Sequence, residues 1–135
     1  MSTYFLDTSY LLALELKSDQ NHESAVSHWQ GVIHDLPLFV TTSYVFDETV
    51  TYFNSRRLHT KAVQVGNNLL TSQSVNFVHV DEALFRDGWS YFQQHQDKEY
   101  SLTDCISFIV MKQMGIQTAF TFDKHFAQAG FIKEP

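Results

Sequence analysis

Along the chain, short apolar runs recur between longer stretches whose apolar positions fall three and four residues apart. The first run, TYFLD at 3–7, is rich in β-formers and ends on Asp7; TSYLLALEL at 8–16 then reads as a helix. HESAVSHWQGVIH at 22–34 places Ala25, Val26, Trp29, Val32 and Ile33 on one helical face. LPLFVTT at 36–42 reads as a strand entered through a proline, and SYVFDETVTYFNSRR at 43–57 returns to helical spacing. The helical TKAVQVGNNLLTS at 60–72 leads to the alternating SVNFVHVD at 74–81, then to a helix, EALFRDGWSYFQQHQ, at 82–96. Residues 103–114 are apolar on nearly every side and stop at Gly115, a residue suited to the left-handed position after a helix. QTAFTFD at 117–123 is the next strand, KHFAQAG at 124–130 a short helix, and FIKE at 131–134 a last short strand.

Strands and helices thus alternate, with connections too long for hairpins, which predicts an α/β sandwich around a mainly parallel sheet. No repeat, low-complexity tract or linker divides the 135 residues, so 1–135 is expected to form a single domain. Ligands of such sheets bind beyond the carboxyl ends of the strands. Asp7 and Asp123 both stand at a predicted strand end.

The chain is 44% hydrophobic and 15% aromatic, enough to bury a core and to exclude disorder. A single cysteine forms no internal disulfide, which favours a reducing compartment. The start, MSTYFLDTSY, lacks the basic and apolar regions of a signal peptide. No segment approaches the roughly 20 apolar residues that span a bilayer. A soluble cytoplasmic protein without membrane contact is expected. The net charge of −6 argues against nucleic-acid binding through a broad basic surface. Carboxylates gathered to hold divalent cations would produce the same acidity.

Asp7 and Asp123 each precede a helix, where Asp is a preferred N-cap, and Ser101-x-x-Asp104 is a capping-box pattern. All three stay open to a structural or a metal-binding role. Glu48 lies inside a helix, where no cap is needed. Steps of 100° put Val45, Phe46, Thr49, Val50, Tyr52 and Phe53 on one face, with Glu48 on its flank and Asp47 turned to water. Asp104 opens the apolar helix, and a carboxylate desolvated there stays charged only when paired or bound to a cation. Cys105 beside it reads as a small buried hydrophobe. Carboxylate oxygens are the favoured ligands of Mg2+ and Mn2+. Two such ions about 4 Å apart promote phosphodiester hydrolysis.

YFLDTSYLLAL, SYVFDETVTYF and YSLTDCISFIVMKQMGIQTAFTFDKHFAQAGF together resemble the PIN-domain family of metal-dependent nucleases, and within it the VapC-like ribonuclease toxins of toxin–antitoxin pairs. The resemblance runs nearly end to end, while 57–96 carries no family signature. It implies a PIN-like three-layer α/β/α sandwich with a central, mainly parallel sheet of four to five strands. The family's acidic quartet falls on Asp7, Glu48, Asp104 and Asp123, with no position departing from the pattern. Thr8, Ser9, Thr103 and Thr121 sit where small hydroxyls support such a site, and Lys124 adjoins Asp123 as a candidate substrate contact. The resemblance further implies Mg2+ or Mn2+ on Asp7, Asp104 and Asp123. It leaves Glu48 to bind metal or orient the attacking water. An RNA substrate, a homodimer and silencing by a cognate antitoxin are implied with it. The competing reading is a catalytically silent PIN-like interaction module whose acids are mostly caps.

Seven histidines show neither H-E-x-x-H nor Cys/His spacing, which argues against a zinc motif; His125, close to Asp123, is open to substrate contact, with a solvated helix position the preferred reading. Arg56, Arg57, Lys61, Lys112 and Lys124 are candidate phosphate contacts. No phosphate-binding glycine loop occurs. A phospho-acceptor domain would want an acceptor Asp at the end of a middle strand; 36–43 ends without one, and Asp81 closes NFVHVD without the acidic pair and lysine setting such a site needs.

Overall fold

Five strands, β1 (Thr3–Leu6), β2 (Leu38–Thr42), β3 (Val75–Val78), β4 (Thr118–Phe120) and β5 (Ile132–Glu134), form one sheet in the computed structural model, which describes residues 2–135. Their order is β3-β2-β1-β4-β5, and every pairing is parallel. Seven α-helices join them: α1 (Thr8–Glu15), α2 (His22–Val32), α3 (Ser43–Ser55), α4 (His59–Thr71), α5 (Glu82–Gln94), α6 (Leu102–Met114) and α7 (His125–Gln128). The expected α/β architecture with a parallel sheet is therefore present, at the upper end of the expected strand count.

The strand order reverses between β1 and β4. The chain travels outward from β1 through β2 to β3, then crosses back to β4 and outward to β5. Right-handed crossovers then place α1–α4 on one face of the sheet and α5–α7 on the other. At the reversal the two connections leave in opposite directions and open a crevice at the strands' carboxyl ends. β1 ends one residue before Asp7 and β4 one residue before Thr121, so this crevice receives both.

Core side chains on the two faces lock these ends in place. Tyr4, Phe39 and Phe120 pack together on one face, with Tyr4 and Phe120 stacked at 4.5 Å. On the other, Phe108 of α6 meets Phe126 edge-on at 5.0 Å, and Phe126 lies 6.2 Å from Phe5. Phe5, Phe108, Phe120 and Phe126 are fully buried, each contributing roughly 1.5–3 kcal/mol by area removed from water. The all-round apolar character of α6 has its cause here: Cys105, Ile106, Phe108, Val110 and Met111 are all buried. Its outer neighbour α5 approaches closely because Gly88 has no side chain; a Cβ there would lie 2.5 Å from Ile106 Cγ1.

Two strands stop three residues earlier than expected. β4 ends at Phe120, not Asp123, because side chains take over the backbone donors that follow. The Phe122 N–H donates to Ser9 Oγ at 2.9 Å and the Asp123 N–H to Thr121 Oγ1 at 2.9 Å. β3 likewise ends at Val78; the Val80 N–H is held by Ser43 Oγ, and Asp81 caps α5 through the Leu84 N–H at 2.9 Å. Asp81 is thus a cap on the surface. Among the described residues, no helix is long and apolar enough to cross a membrane.

Candidate active site

Asp7, Glu48, Asp104 and Asp123 line one cavity of about 310 Å³ at the crevice, together with Thr8 and Ser9. Four acids from distant parts of the chain meet there because each begins or flanks a helix that starts at the sheet's carboxyl edge.

Asp7 is an N-cap, as its setting predicts: its side chain accepts from the Ser9 N–H at 3.4 Å. That long bond is the lesser of its contacts. Oδ2 also accepts from Ser9 Oγ and from Thr121 Oγ1, both at 2.7 Å. The two hydroxyls lie 3.0 Å apart, so a small polar clamp crosses from β1 to β4 and fixes the carboxylate. Asp7 is only 4% exposed, and burial pushes its pKa up to about 6 against those hydrogen bonds, with Asp104 and Asp123 adding repulsion.

Asp104 completes a full capping box at the start of α6. Ser101 Oγ accepts from the Asp104 N–H at 3.0 Å, and Asp104 Oδ2 accepts from the Ser101 N–H at 3.1 Å. The capping role open to Asp104 is therefore present, and its carboxylate still lines the cavity. Its pKa is raised by burial and by Asp123, while the Ser101 N–H and His125 pull the other way. Asp123 stands two residues past Thr121 and accepts from the His125 N–H at 2.9 Å.

Glu48 is exposed on α3, and its Oε1 accepts from Thr8 Oγ1 at 2.7 Å. Thr42 caps α3 through the Val45 N–H, so Glu48 has no helix-capping duty. Asp47 is exposed beside it, as the helical projection requires. Of the hydroxyls expected to support the site, Thr8, Ser9 and Thr121 hold acids in place. Thr103 lies buried in the first turn of α6, where its carbonyl accepts from Ser107 Oγ, and it does not line the cavity. Lys124 is exposed and is not part of the lining either.

His125 corrects the sequence reading, which placed it in water. The side chain is only 17% exposed, with Nδ1 3.1 Å from Asp104 Oδ2 and 3.2 Å from Asp123 Oδ1. Tyr100 meets its ring edge-on at 5.4 Å. Asp104, Asp123 and His125 present one ligand atom each within 4.8 Å of one another, the one such group among the described residues. Glu99 also lines the cavity and was not foreseen. The signal for His125 lay two residues after Asp123 in FDKHF; nothing in the pattern marks Glu99.

No Lys or Arg forms an ion pair with any of the four acids among the described residues; His125 is their only basic contact. Asp7 and Asp104, both raised by burial and by neighbouring acids, lie beside Asp123 and Glu48 in a donor set suited to a hard divalent ion.

The PIN domain profile matches residues 4–132. The chain is 36% identical over 129 residues to the 23S rRNA-specific endonuclease VapC20 of Mycobacterium tuberculosis, covering 96% of this chain and 95% of that protein. The crystal structure of VapC20, a sarcin–ricin loop cleaving toxin, aligns with a TM-score of 0.87 at 35% identity over 97% of each chain. VapBC2 from Rickettsia felis, solved on a DNA fragment from its promoter, shares the fold with a TM-score of 0.71 at 11% identity, over 98% of this chain and 97% of that one. The chain belongs to the PIN-domain family of nucleases and is a homologue of the VapC ribonuclease toxins.

Proposed function

We propose that the protein is a Mg2+- or Mn2+-dependent endoribonuclease whose catalytic set is Asp7, Glu48, Asp104 and Asp123, acting as the toxin of a toxin–antitoxin pair. The observation that carries the metal requirement is the convergence of these acids, without any Lys or Arg partner, on one cavity at the strand reversal. Asp7, Asp104 and Asp123 are the residues that would hold the ion, with His125 offering a nitrogen donor beside them. Such an ion polarises a phosphoryl oxygen and lowers the pKa of bound water.

The chain's own groups then divide the remaining work. The Ser9–Thr121 clamp keeps Asp7 oriented with its Oδ2 already satisfied, so the other oxygen is available to a ligand. The capping box and His125 fix Asp104 from two sides. Glu48 stands apart from the Asp104–Asp123–His125 group and keeps Oε2 free, which suits it to accept a proton from an attacking water.

VapC20 acts on 23S rRNA by its name, and 23S rRNA is accordingly the substrate to test first. Pairing with a cognate antitoxin and assembly as a homodimer belong to the same proposal. The test is cleavage of bacterial 23S rRNA by the purified protein in Mn2+, in EDTA, and by Asp104→Asn. Cleavage in Mn2+ alone, lost in a folded Asp104→Asn, is the expected result. An Asn at 104 keeps an oxygen for the Ser101 N–H. Equal cleavage in EDTA, or by the variant, would overturn the proposal.

A further inference from the structure

We propose that RNA phosphates are held by Arg56 and Arg57, at the far end of a groove that runs from the acids along α3. This rests on the ribonuclease reading above and names the residues that would bind the strand.

The groove is continuous in its lining. Thr8, Leu12 and Glu48 wall both the acidic cavity and the next hollow, which extends along α3 past Tyr52 to Ser55. Ser55 in turn opens a third hollow shared with Arg56 and Arg57. Glu48, Tyr52 and Arg56 follow at intervals of four and so lie along one side of α3. Eight residues at 1.5 Å set Glu48 about 12 Å from Arg56, a span suited to a short oligonucleotide. Asp47 also walls the middle hollow, where its carboxylate accepts from Thr51 Oγ1.

Two cations line this end of the groove. Of nine cations in a chain of net charge −6, Lys61, Arg86 and Lys98 are paired with carboxylates. Lys112 lies over the Tyr91 ring in the last turn of α6 and lines none of the three hollows. Arg56 and Arg57 are the only adjacent cations in the sequence, both exposed and neither in an ion pair among the described residues. The Arg56 guanidinium sits 4.5 Å over the Tyr52 ring, which orients its plane and leaves its N–H edge free for a phosphate.

Backbone conformation adds an independent mark. α3 ends in a Schellman turn: the Leu58 N–H donates to the Phe53 carbonyl at 2.9 Å and the Arg57 N–H to the Asn54 carbonyl at 3.1 Å. The left-handed position of that turn is Arg57, at φ 62. α6 ends in the same way and uses Gly115 there, at φ 68. Glycine is the residue such a position favours, so the chain keeps a strained arginine at the groove's end.

The experiment measures binding of a fluorescent sarcin–ricin-loop RNA hairpin by anisotropy in millimolar Ca2+ across a KCl series, with Mn2+ cleavage kinetics in parallel. Arg56→Gln and Arg57→Gly are compared with wild type and with Lys17→Ala, an exposed cation outside the groove. Each arginine variant is expected to weaken binding about tenfold, as for loss of one charge-assisted contact. Each should also flatten the salt slope by about 0.7. KM should rise with kcat unchanged, Arg57→Gly should melt higher than wild type, and Lys17→Ala should leave the slope intact. Unchanged affinity and slope in both arginine variants, or equal losses in Lys17→Ala, would overturn the assignment. Wild-type binding without cleavage would sink the hydrolytic reading and leave the groove standing.

Discussion

Replacing Asp7 by Asn should make the metal-free protein more stable at neutral pH while removing a metal ligand. In the fold, burial pushes Asp7 up to about 6 from an ordinary 3.8. Each pK unit corresponds to 1.36 kcal/mol, so keeping this carboxylate ionised costs the native state about 3 kcal/mol. The sign follows from proton counting. Between about pH 4 and pH 6 the native state holds a proton that the unfolded chain has released, so stability falls as pH rises through that window and stays low above it. Asn is neutral throughout and keeps an acceptor oxygen for Ser9 and Thr121. It forfeits the attraction between a charge and the α1 N-terminus, worth up to about 1 kcal/mol.

The net gain is about 2 kcal/mol at pH 8, or a Tm rise of about 5–10 °C for a domain of this size. At pH 4 both side chains are neutral in the fold and the two proteins should melt together. Thermal melts of EDTA-treated Asp7→Asn and wild type at the two pH values decide the matter. A variant less stable at pH 8, or one whose advantage persists unchanged at pH 4, would refute desolvation of Asp7 as the cause.

Glu48→Gln keeps an acceptor for Thr8 on an exposed helix face, so urea unfolding should shift by less than about 0.5 kcal/mol. RNA cleavage should drop by about 10²–10⁴-fold with the loss of its proton acceptor. Gly88→Ala should destabilise by about 1–3 kcal/mol in urea, because its Cβ would press on Ile106 at 2.5 Å; the gain in helix propensity, about 1 kcal/mol, does not offset this.

Much of this was legible because α/β periodicity is local. Each strand and helix announced itself by spacing, and the acids by their place at element ends. Glu48 stood out because the interior of a helix needs no cap. Less legible was whatever depends on where separate elements meet. His125 follows Asp123 in sequence, yet its burial comes from Tyr100 and α6, which periodicity does not place beside it. Thr103 lies next to Asp104 in sequence but does not line the cavity, since neighbours on a helix point about 100° apart. β4 ends short of its predicted limit because the Ser9 and Thr121 hydroxyls, not a ladder partner, satisfy the Phe122 and Asp123 N–H groups. The left-handed Arg57 had no signal, because left-handed helix ends are usually recognised by glycine.

Titration calorimetry of Mn2+ into the purified protein at neutral pH, in the absence of RNA, bears most directly on the acids as a metal site. Saturable binding by wild type, abolished in a folded Asp104→Asn and weakened in Asp7→Asn, is the predicted result. No heat of binding in wild type, or the same isotherm in all three proteins, would mean that the four acids serve only as caps and surface charge.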